Sequence, residues 1–236
     1  MNGTGDDTRH AVYFAPGPDS NLWRLGCRWH GRDPATGDTL EQPPVPNLDP
    51  AVVQDATASP RFYGFHATLK PPFALAPGTT HEELLAAMDA LAARRPAFVA
   101  PPLAVTRLGR FLALTLRAPS PDMDTLAAAC VTELDRFRAP QSEAELARRR
   151  QARLDPRQEA LLVQWGYPYV LEEFRFHMTL TGSLDDEALQ SRLRAFLESW
   201  FAPLAGEPLT VDSICLYSQP DRATPFRLER RFPLAG

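Results

Sequence analysis

The stretch Gly64-Phe65-His66-Ala67-Thr68-Leu69-Lys70 returns in the second half of the chain as Arg175-Phe176-His177-Met178-Thr179-Leu180-Thr181. Both copies read aromatic-His-x-Thr-Leu, and both alternate apolar and polar residues as a β-strand does. Residues two apart in a strand point to the same face. The sequence therefore predicts two strands, each with an apolar face for the core and a polar face that carries a histidine, a threonine and a cation.

The two polar faces together hold the parts of a phosphate-handling site. Two imidazoles across a cleft can act as general base and general acid in one displacement, because histidine titrates near neutrality. Threonine hydroxyls and cations can hold an anion between them. The predicted catalytic residues are His66, His177, Thr68 and Thr179, and strand alternation places Lys70 and Arg175 beside them as substrate-binding residues.

A single histidine in this setting is more often a hydrogen-bonded structural residue than a catalytic one. Two copies with matching flanks favour a paired site. A phosphodiester, above all a strained cyclic one, is the substrate class that uses two imidazoles, two hydroxyls and cations together. The spacing His-x-Thr is not typical of metal ligands, so we expect no metal.

These residues resemble the two-histidine (2H) phosphoesterase superfamily, and their surroundings resemble one branch of it, the DUF1045 family of phosphonate-metabolism proteins encoded beside carbon–phosphorus lyase genes. The resemblance runs from about Arg9 to the C-terminus. Besides the two motifs, the matching stretches are Ala11-Val12-Tyr13-Phe14-Ala15-Pro16, Ser142-Glu143-Ala144-Glu145-Leu146-Ala147-Arg148-Arg149-Arg150 and Trp165-Gly166-Tyr167-Pro168-Tyr169.

The resemblance implies an α+β fold of two antiparallel sheets that flank a central cleft, with helices outside. It also implies a link to carbon–phosphorus lyase metabolism and favours His177 as the base and His66 as the acid. The near-symmetry of the two motifs leaves that last assignment open from the residues alone. No cofactor is implied.

The order of predicted elements indicates an internal duplication, since a helix and two strands follow each motif. We expect a single domain over residues 9–236, with pseudo-symmetric lobes at 50–118 and 169–236, an N-terminal strand and a helical insertion at 120–168. Residues 1–8 are expected to be a flexible N-terminus. Thr80 with Glu83 and Ser142 with Glu145 have the spacing of capping boxes, which predicts two helix starts.

Other polar and aromatic residues are weaker candidates for substrate binding. The run that contains Arg148 and Arg149 is the densest cationic cluster, although such runs are usually solvated helix faces. Tyr13, Tyr63 and Tyr169 could stack on a sugar or base, although buried tyrosines are commonly core residues. Tyr13 is favoured among them, because its strand should neighbour the cleft.

The composition is that of an ordinary globular chain: 236 residues, 44% hydrophobic and 23% charged, with a net charge of −4. The negative charge argues against extended nucleic-acid binding. Three cysteines without C-x-x-C spacing argue against a disulfide framework or a structural zinc. With no long apolar run and no signal-peptide core, we expect a cytoplasmic monomer that does not engage a membrane.

Two classes of function therefore remain open at this point. The first is a metal-independent phosphodiesterase that hydrolyses a small cyclic phosphate of the ribose 1,2- or 2,3-cyclic type, on a phosphorylated sugar or nucleotide substrate. The second is a protein of the same fold that binds a nucleotide or an RNA end, or an RNA 2′,3′-cyclic phosphodiesterase or ligase. A purely binding role would not need two titrating histidines.

Overall fold

The computed structural model of the protein describes residues 8–236, so the predicted flexible N-terminus lies outside the described residues except for Thr8. Seven helices occur in this part of the chain. They are α1 (Asn21–His30), α2 (Pro50–Tyr63), α3 (His81–Ala92), α4 (Pro121–Glu133), α5 (Glu143–Arg150), α6 (Pro156–Trp165) and α7 (Glu187–Trp200). None of these seven combines the length and hydropathy that a bilayer-spanning segment needs.

Strands form one large antiparallel sheet and one small one. They are β1 (Arg9–Phe14), β2 (Ala67–Phe73), β3 (Phe98–Ala100), β4 (Leu103–Leu108), β5 (Phe111–Leu116), β6 (His177–Thr179), β7 (Leu209–Val211), β8 (Ser213–Gln219) and β9 (Arg227–Pro233). The large sheet has the order β4-β5-β6-β2-β1-β8-β9, and β3 pairs with β7 in the small sheet. The α+β fold with antiparallel sheets is confirmed.

Side-chain caps define several helix starts. Thr80 and Glu83 form a reciprocal capping box at α3, and Ser142 and Glu145 form another at α5. Each box satisfies backbone N–H groups that the first helical turn leaves without partners. Both predicted capping boxes are confirmed.

The repeated element order is visible in the chain, but the two halves exchange their motif strands. The first half runs β2-α3-β3-β4-β5 and the second β6-α7-β7-β8-β9. However, β6 of the second half pairs with β5 of the first, while β2 of the first half joins β8 through β1. The predicted lobes, 50–118 and 169–236, are therefore continuous segments of the sequence but do not form separate parts of the large sheet.

The motif strands β2 and β6 also join the two predicted sheets into one. They meet through the single residue pair Ala67–Met178, since β6 is only three residues long. Local alternation fixes which face a residue occupies, but it does not identify the neighbouring strand. Alternation alone therefore predicts separate sheets, whereas the structure has one sheet in which β2 and β6 meet through a single residue pair. We call this narrow central junction the seam.

The apolar faces of both motif strands are buried in the core as predicted. Phe65, Ala67, Leu69, Phe176, Met178 and Leu180 are at most 7% exposed. Because alternate residues of a strand point to opposite faces, this burial directs the histidines and threonines of the motifs to the other side of the seam.

Candidate active site

A cavity of about 670 Å³ lies over the seam, and His66, Thr68, His177 and Thr179 all line it. We call this cavity the cleft. Ala67 pairs with Met178 and both side chains are buried, so the residues on either side of each point to the opposite face of the sheet. The charge of His177 lowers the pKa of His66, which places the two rings near each other. The four predicted catalytic side chains are therefore brought together on one face of the sheet.

Both imidazoles are oriented by the same hydrogen bond. Nδ1 of His66 lies 2.8 Å from the carbonyl oxygen of Gly64, and Nδ1 of His177 lies 2.8 Å from that of Arg175. A carbonyl can only accept, so Nδ1 carries the hydrogen in each ring. The neutral ring then has its lone pair on Nε2. The Thr68 hydroxyl lies 3.2 Å from Nε2 of His66 and can donate to it.

The backbone conformation at position 64 explains why the first motif begins with glycine. Its φ of 85° lies in the left-handed region, and a Cβ there would come within 2.6 Å of Cβ of Pro34. A side chain would therefore be both strained and obstructed. The glycine lets the chain turn from α2 into β2 while its carbonyl faces the His66 ring.

The environment of His66 disfavours its charged form. Burial lowers the pKa of His66 to about 4, the hydrogen bond to the Gly64 carbonyl works against that shift, and the nearby His177 adds to it. The ring of Tyr13 stacks on the imidazole, with centroids 3.6 Å apart and an angle of 18° between the planes. Tyr13 is only 1% exposed. His66 is therefore neutral in the free protein at neutral pH.

Behind the second motif lies a residue that sequence reasoning did not select. His30, at the end of α1, is fully buried, and its Nε2 donates to the carbonyl of Thr179 over 3.0 Å. The neighbouring Trp29 donates to the carbonyl of Leu180 over 2.7 Å. Burial lowers the pKa of His30 to about 3, although the bond to Thr179 opposes the shift. The last turn of α1 thus holds the backbone of β6 in place. His30 lacks a repeated context, so no local signal marks it.

Lys70 does not reach the cleft, which corrects the prediction from strand alternation. Tyr13 pairs with Thr68 and Val12 pairs with Lys70, so β2 carries one extra residue between the two pairs. Such a bulge breaks the alternation of faces. The Lys70 side chain is 1% exposed and its Nζ lies 3.1 Å from Oδ1 of Asp135. Lys70 therefore anchors the insertion to the sheet and does not line the cleft.

Arg175 is likewise outside the cleft. Its side chain is exposed and it is not among the residues that line the cavity. The predicted alternation fails here because β6 begins only at His177, and a 3-10 turn at Leu171–Glu173 precedes it. The backbone carbonyl of Arg175 orients His177, whereas its side chain does not line the cleft.

The remaining predicted binding residues do line the cleft, as do several that were not predicted. Tyr13, Tyr63, Tyr169, Arg148 and Arg149 are among the lining residues. So are two further arginines, Arg9 on β1 and Arg222 in the loop between β8 and β9. No aspartate or glutamate lines the cavity within residues 8–236. The cleft of this acidic chain is therefore locally cationic.

One group of side chains in the described part of the chain has the donor atoms for a metal ion, and it lies outside the cleft. The ligand atoms of His10, His81 and Glu229 are all within 4.8 Å of one another. Nε2 of His81 already bonds to Oε1 of Glu229 over 2.6 Å. Arg9 lines the cleft, so its neighbour His10 on the same strand points to the opposite face of the sheet.

A second cavity, of about 700 Å³, lies between the start of α1, β4 and the end of α7. Its described lining contains no histidine, cysteine or tyrosine. Three carboxylates line it, those of Glu198, Glu207 and Asp212, and Glu198 pairs with Arg194 over 2.8 Å. Of these two cavities, the cleft is the one that contains the histidines and threonines of both motifs, so the cleft is the candidate active site.

Residues 68–227 match the family described as "Protein of unknown function (DUF1045)". The chain belongs to this family, which confirms the resemblance to DUF1045 seen in the sequence. Its curated relatives include the ribose 1,5-bisphosphate phosphokinase PhnN of Janthinobacterium sp. (strain Marseille), 40% identical over 232 residues, or 97% of this chain and 51% of the relative. The protein of the same name from Laribacter hongkongensis (strain HLHK9) is 37% identical over 223 residues, or 94% of this chain and 51% of the relative. The chain thus spans about half the length of these relatives.

Solved structures with some likeness to the chain share little of its sequence. A protein described as a phosphoesterase is 14% identical with a TM-score of 0.45, and the match covers 98% of this chain and 99% of that one. LigT of E. coli complexed with 3′-AMP is 14% identical with a TM-score of 0.43 and the same coverage. Usb1 of Kluyveromyces marxianus with uridine monophosphate is 11% identical with a TM-score of 0.38, again covering 98% and 99%.

Proposed function

We propose that this protein is a metal-independent phosphodiesterase that hydrolyses a small cyclic phosphate of the ribose 1,2- or 2,3-cyclic type. One observation carries the proposal: two imidazoles line a single cleft beside two threonine hydroxyls, and each is held by a hydrogen bond from Nδ1 to the carbonyl two residues earlier. The same bond at both sites leaves both Nε2 atoms for proton transfer.

In the proposed reaction the two histidines act in opposite protonation states. With a pKa of about 4, His66 is neutral at pH 7 and can take a proton from the attacking water at Nε2. His177 donates a proton to the departing sugar oxygen. A bond forms between the water oxygen and phosphorus, the bond from phosphorus to the sugar oxygen breaks, and the product is a phosphomonoester beside a free hydroxyl. This assignment reverses the one that the family resemblance favoured.

The threonines are suited to hold the non-bridging oxygens of the phosphate. A hydrogen bond to a charged group contributes about 1.5–3 kcal/mol. Thr68 donates to His66 in the free protein and would turn to the phosphate when substrate is present. Tyr63 and Tyr169 line the cleft and are not buried, so their rings offer surfaces against which a sugar or base can pack.

The names of the curated relatives favour the 1,2-cyclic ester. Both relatives are named ribose 1,5-bisphosphate phosphokinase, and this chain corresponds to about half of each. Opening the 1,2-cyclic phosphate of ribose 5-phosphate at the bond from phosphorus to O2 yields ribose 1,5-bisphosphate. The proposed reaction would thus supply the compound in the relatives' name, which supports a link to phosphonate metabolism.

The proposal is tested with purified protein that has been dialysed against a chelator. The protein is incubated with ribose 5-phosphate 1,2-cyclic phosphate, with nucleoside 2′,3′-cyclic phosphates and with 3′,5′-cyclic nucleotides, and the products are followed by ³¹P NMR. We expect opening of a 1,2- or 2,3-cyclic ring without added metal. Tight binding of these compounds without turnover would instead support the nucleotide- or RNA-end-binding alternative.

A further inference from the structure

Four arginines, Arg9, Arg148, Arg149 and Arg222, line both the cleft and a smaller adjoining cavity of about 120 Å³, so they lie where the two cavities meet. We call them the arginine wall. The described residues that line the cleft include no carboxylate to balance this charge. Glu145 lines the adjoining cavity and pairs with Arg222 over 2.7 Å, and the charge of Arg148 also acts on this carboxylate. Although the chain has a net charge of −4, the fold places four cations together on this surface.

The guanidinium groups of the arginine wall are close enough to one another to repel. The pKa of Arg9 is lowered first by burial and then by the charges of Arg222 and Arg148. Arg9 is held in this position by a 2.8 Å bond from its Nε to Oε1 of Gln219 and lies 5.3 Å from the centre of the Phe226 ring. The fold thus positions cations together against their mutual repulsion, which favours an anion at this wall.

Of the arginine wall, only Arg222 forms a salt bridge within residues 8–236. Arg9, Arg148 and Arg149 form none in this part of the chain. The Cζ atom of Arg149 lies over the ring of Tyr167, 4.5 Å from its centre, and the buried Nε of Arg149 lacks a hydrogen-bond partner. By contrast, Arg150 in the same run pairs with Glu159 over 2.7 Å and does not line the cleft.

The arginine wall lies away from the histidines but in the same cleft. Arg9 and Tyr13 are both on β1, and Tyr13 stacks on His66. Four residues of strand span about 13 Å at ~3.3 Å per residue. Arg9 and His66 therefore line the same cleft from separate positions, about the spacing of the two ends of a phosphorylated sugar.

We propose that the arginine wall is a second anion subsite, which binds a terminal phosphomonoester on the far side of the substrate's sugar from the cyclic ester. This inference rests on the proposed function and narrows it: the substrate class is a sugar with a cyclic phosphodiester at one end and a separate phosphate at the other. Guanidinium groups bind phosphate oxygens through two parallel hydrogen bonds, which is why arginine suits this task.

The first test is binding and needs no turnover. Ribose 5-phosphate and unphosphorylated ribose are titrated into the wild-type protein and into Arg148→Ala, Arg9→Gln and Arg150→Ala by isothermal calorimetry. We expect ribose 5-phosphate to bind, with affinity lowered roughly ten- to hundredfold in Arg148→Ala and Arg9→Gln, as for loss of a charged hydrogen bond. Arg150→Ala is the matched control and should bind like the wild type. Equal affinity in all four proteins, or no binding at all, overturns the subsite.

The second test separates this inference from the proposed function. The same cyclic ribose phosphate is offered with and without its 5-phosphate, and kcat and KM are measured for each. We expect Arg148→Ala to raise KM roughly ten- to hundredfold more for the phosphorylated substrate than for the other one, and Arg150→Ala, outside the cleft, to leave the kinetics of both substrates as in the wild type. If the wild type opens both substrates with the same kcat/KM, the subsite is wrong and the phosphodiesterase stands.

Discussion

Lowering the pH from 8 to 5 should destabilise the folded protein, in large part through His30. The imidazole is fully buried, donates to the Thr179 carbonyl, and has its pKa lowered by burial to about 3 from an ordinary value of 6.5. The charges of His66, Arg61 and Arg32 add to the shift. The unfolded chain therefore takes up a proton at His30 over a pH range in which the folded protein does not.

The size of this effect follows from the two pKa values. Because the folded pKa lies below the unfolded one, the stability is fully present above pH 6.5 and falls as the pH drops below it. Each pH unit in this window costs about 1.4 kcal/mol, so His30 alone should cost about 2 kcal/mol by pH 5. His66, with a pKa of about 4, acts in the same direction, but it is partly exposed and its share is smaller.

The assay is urea unfolding followed by tryptophan fluorescence at pH 8 and pH 5, for the wild type and for His30→Gln. The glutamine amide can still donate to Thr179 but does not titrate. We expect the drop in the free energy of unfolding between the two pH values to be about 2 kcal/mol smaller in the variant. If His30→Gln loses as much stability as the wild type between pH 8 and 5, His30 does not carry the buried neutral imidazole that the structure shows.

Three further predictions concern the phosphate contacts, the titration of the site and the core. Thr68→Val and Thr179→Val should each lower kcat/KM roughly ten- to hundredfold, because each removes a hydrogen bond of ~1.5–3 kcal/mol to a charged group. The free energy of unfolding should change little, and unchanged steady-state rates would contradict the proposed phosphate contacts. A plot of kcat/KM against pH should fall on the acid side as His66 becomes protonated near its pKa of about 4, and a profile that stays flat there would exclude His66 as the base. Phe176→Ala removes a ring that is 7% exposed and should lower the free energy of unfolding in urea by about 3–5 kcal/mol, while the folded fraction keeps its kcat. A loss of kcat with unchanged stability would instead place the ring in the active site.

The parts of the structure that depend on neighbours in sequence could be predicted. Alternation around His66 and His177 gave the correct buried face of each motif, because side-chain direction in a strand has a period of two residues. The capping boxes at α3 and α5 could also be read directly, since their partners are three residues apart.

The parts of the structure that depend on contacts between distant segments could not be predicted from the sequence. Local alternation does not reveal that β6 pairs with β5 while β2 pairs with β1. The bulge that turns Lys70 towards Asp135 arises from pairing between β1 and β2. Arg9 and Arg222 are 213 residues apart and enter the cleft only through the strand order. His30 meets Thr179 for the same reason.

The central claim, that His66 and His177 act together in one displacement, is tested most directly by a double-mutant cycle. kcat is measured for chelator-treated wild type, His66→Ala, His177→Ala and the double variant on the cyclic ribose phosphate that the wild type opens. Each single variant should lose roughly 10²–10⁴-fold in kcat, as expected for loss of a general acid or base. The double variant should be little slower than the slower single variant, because groups that act in the same step are not additive. A single variant that keeps most of its activity, or a double variant whose loss is the product of the two single losses, would contradict the paired mechanism.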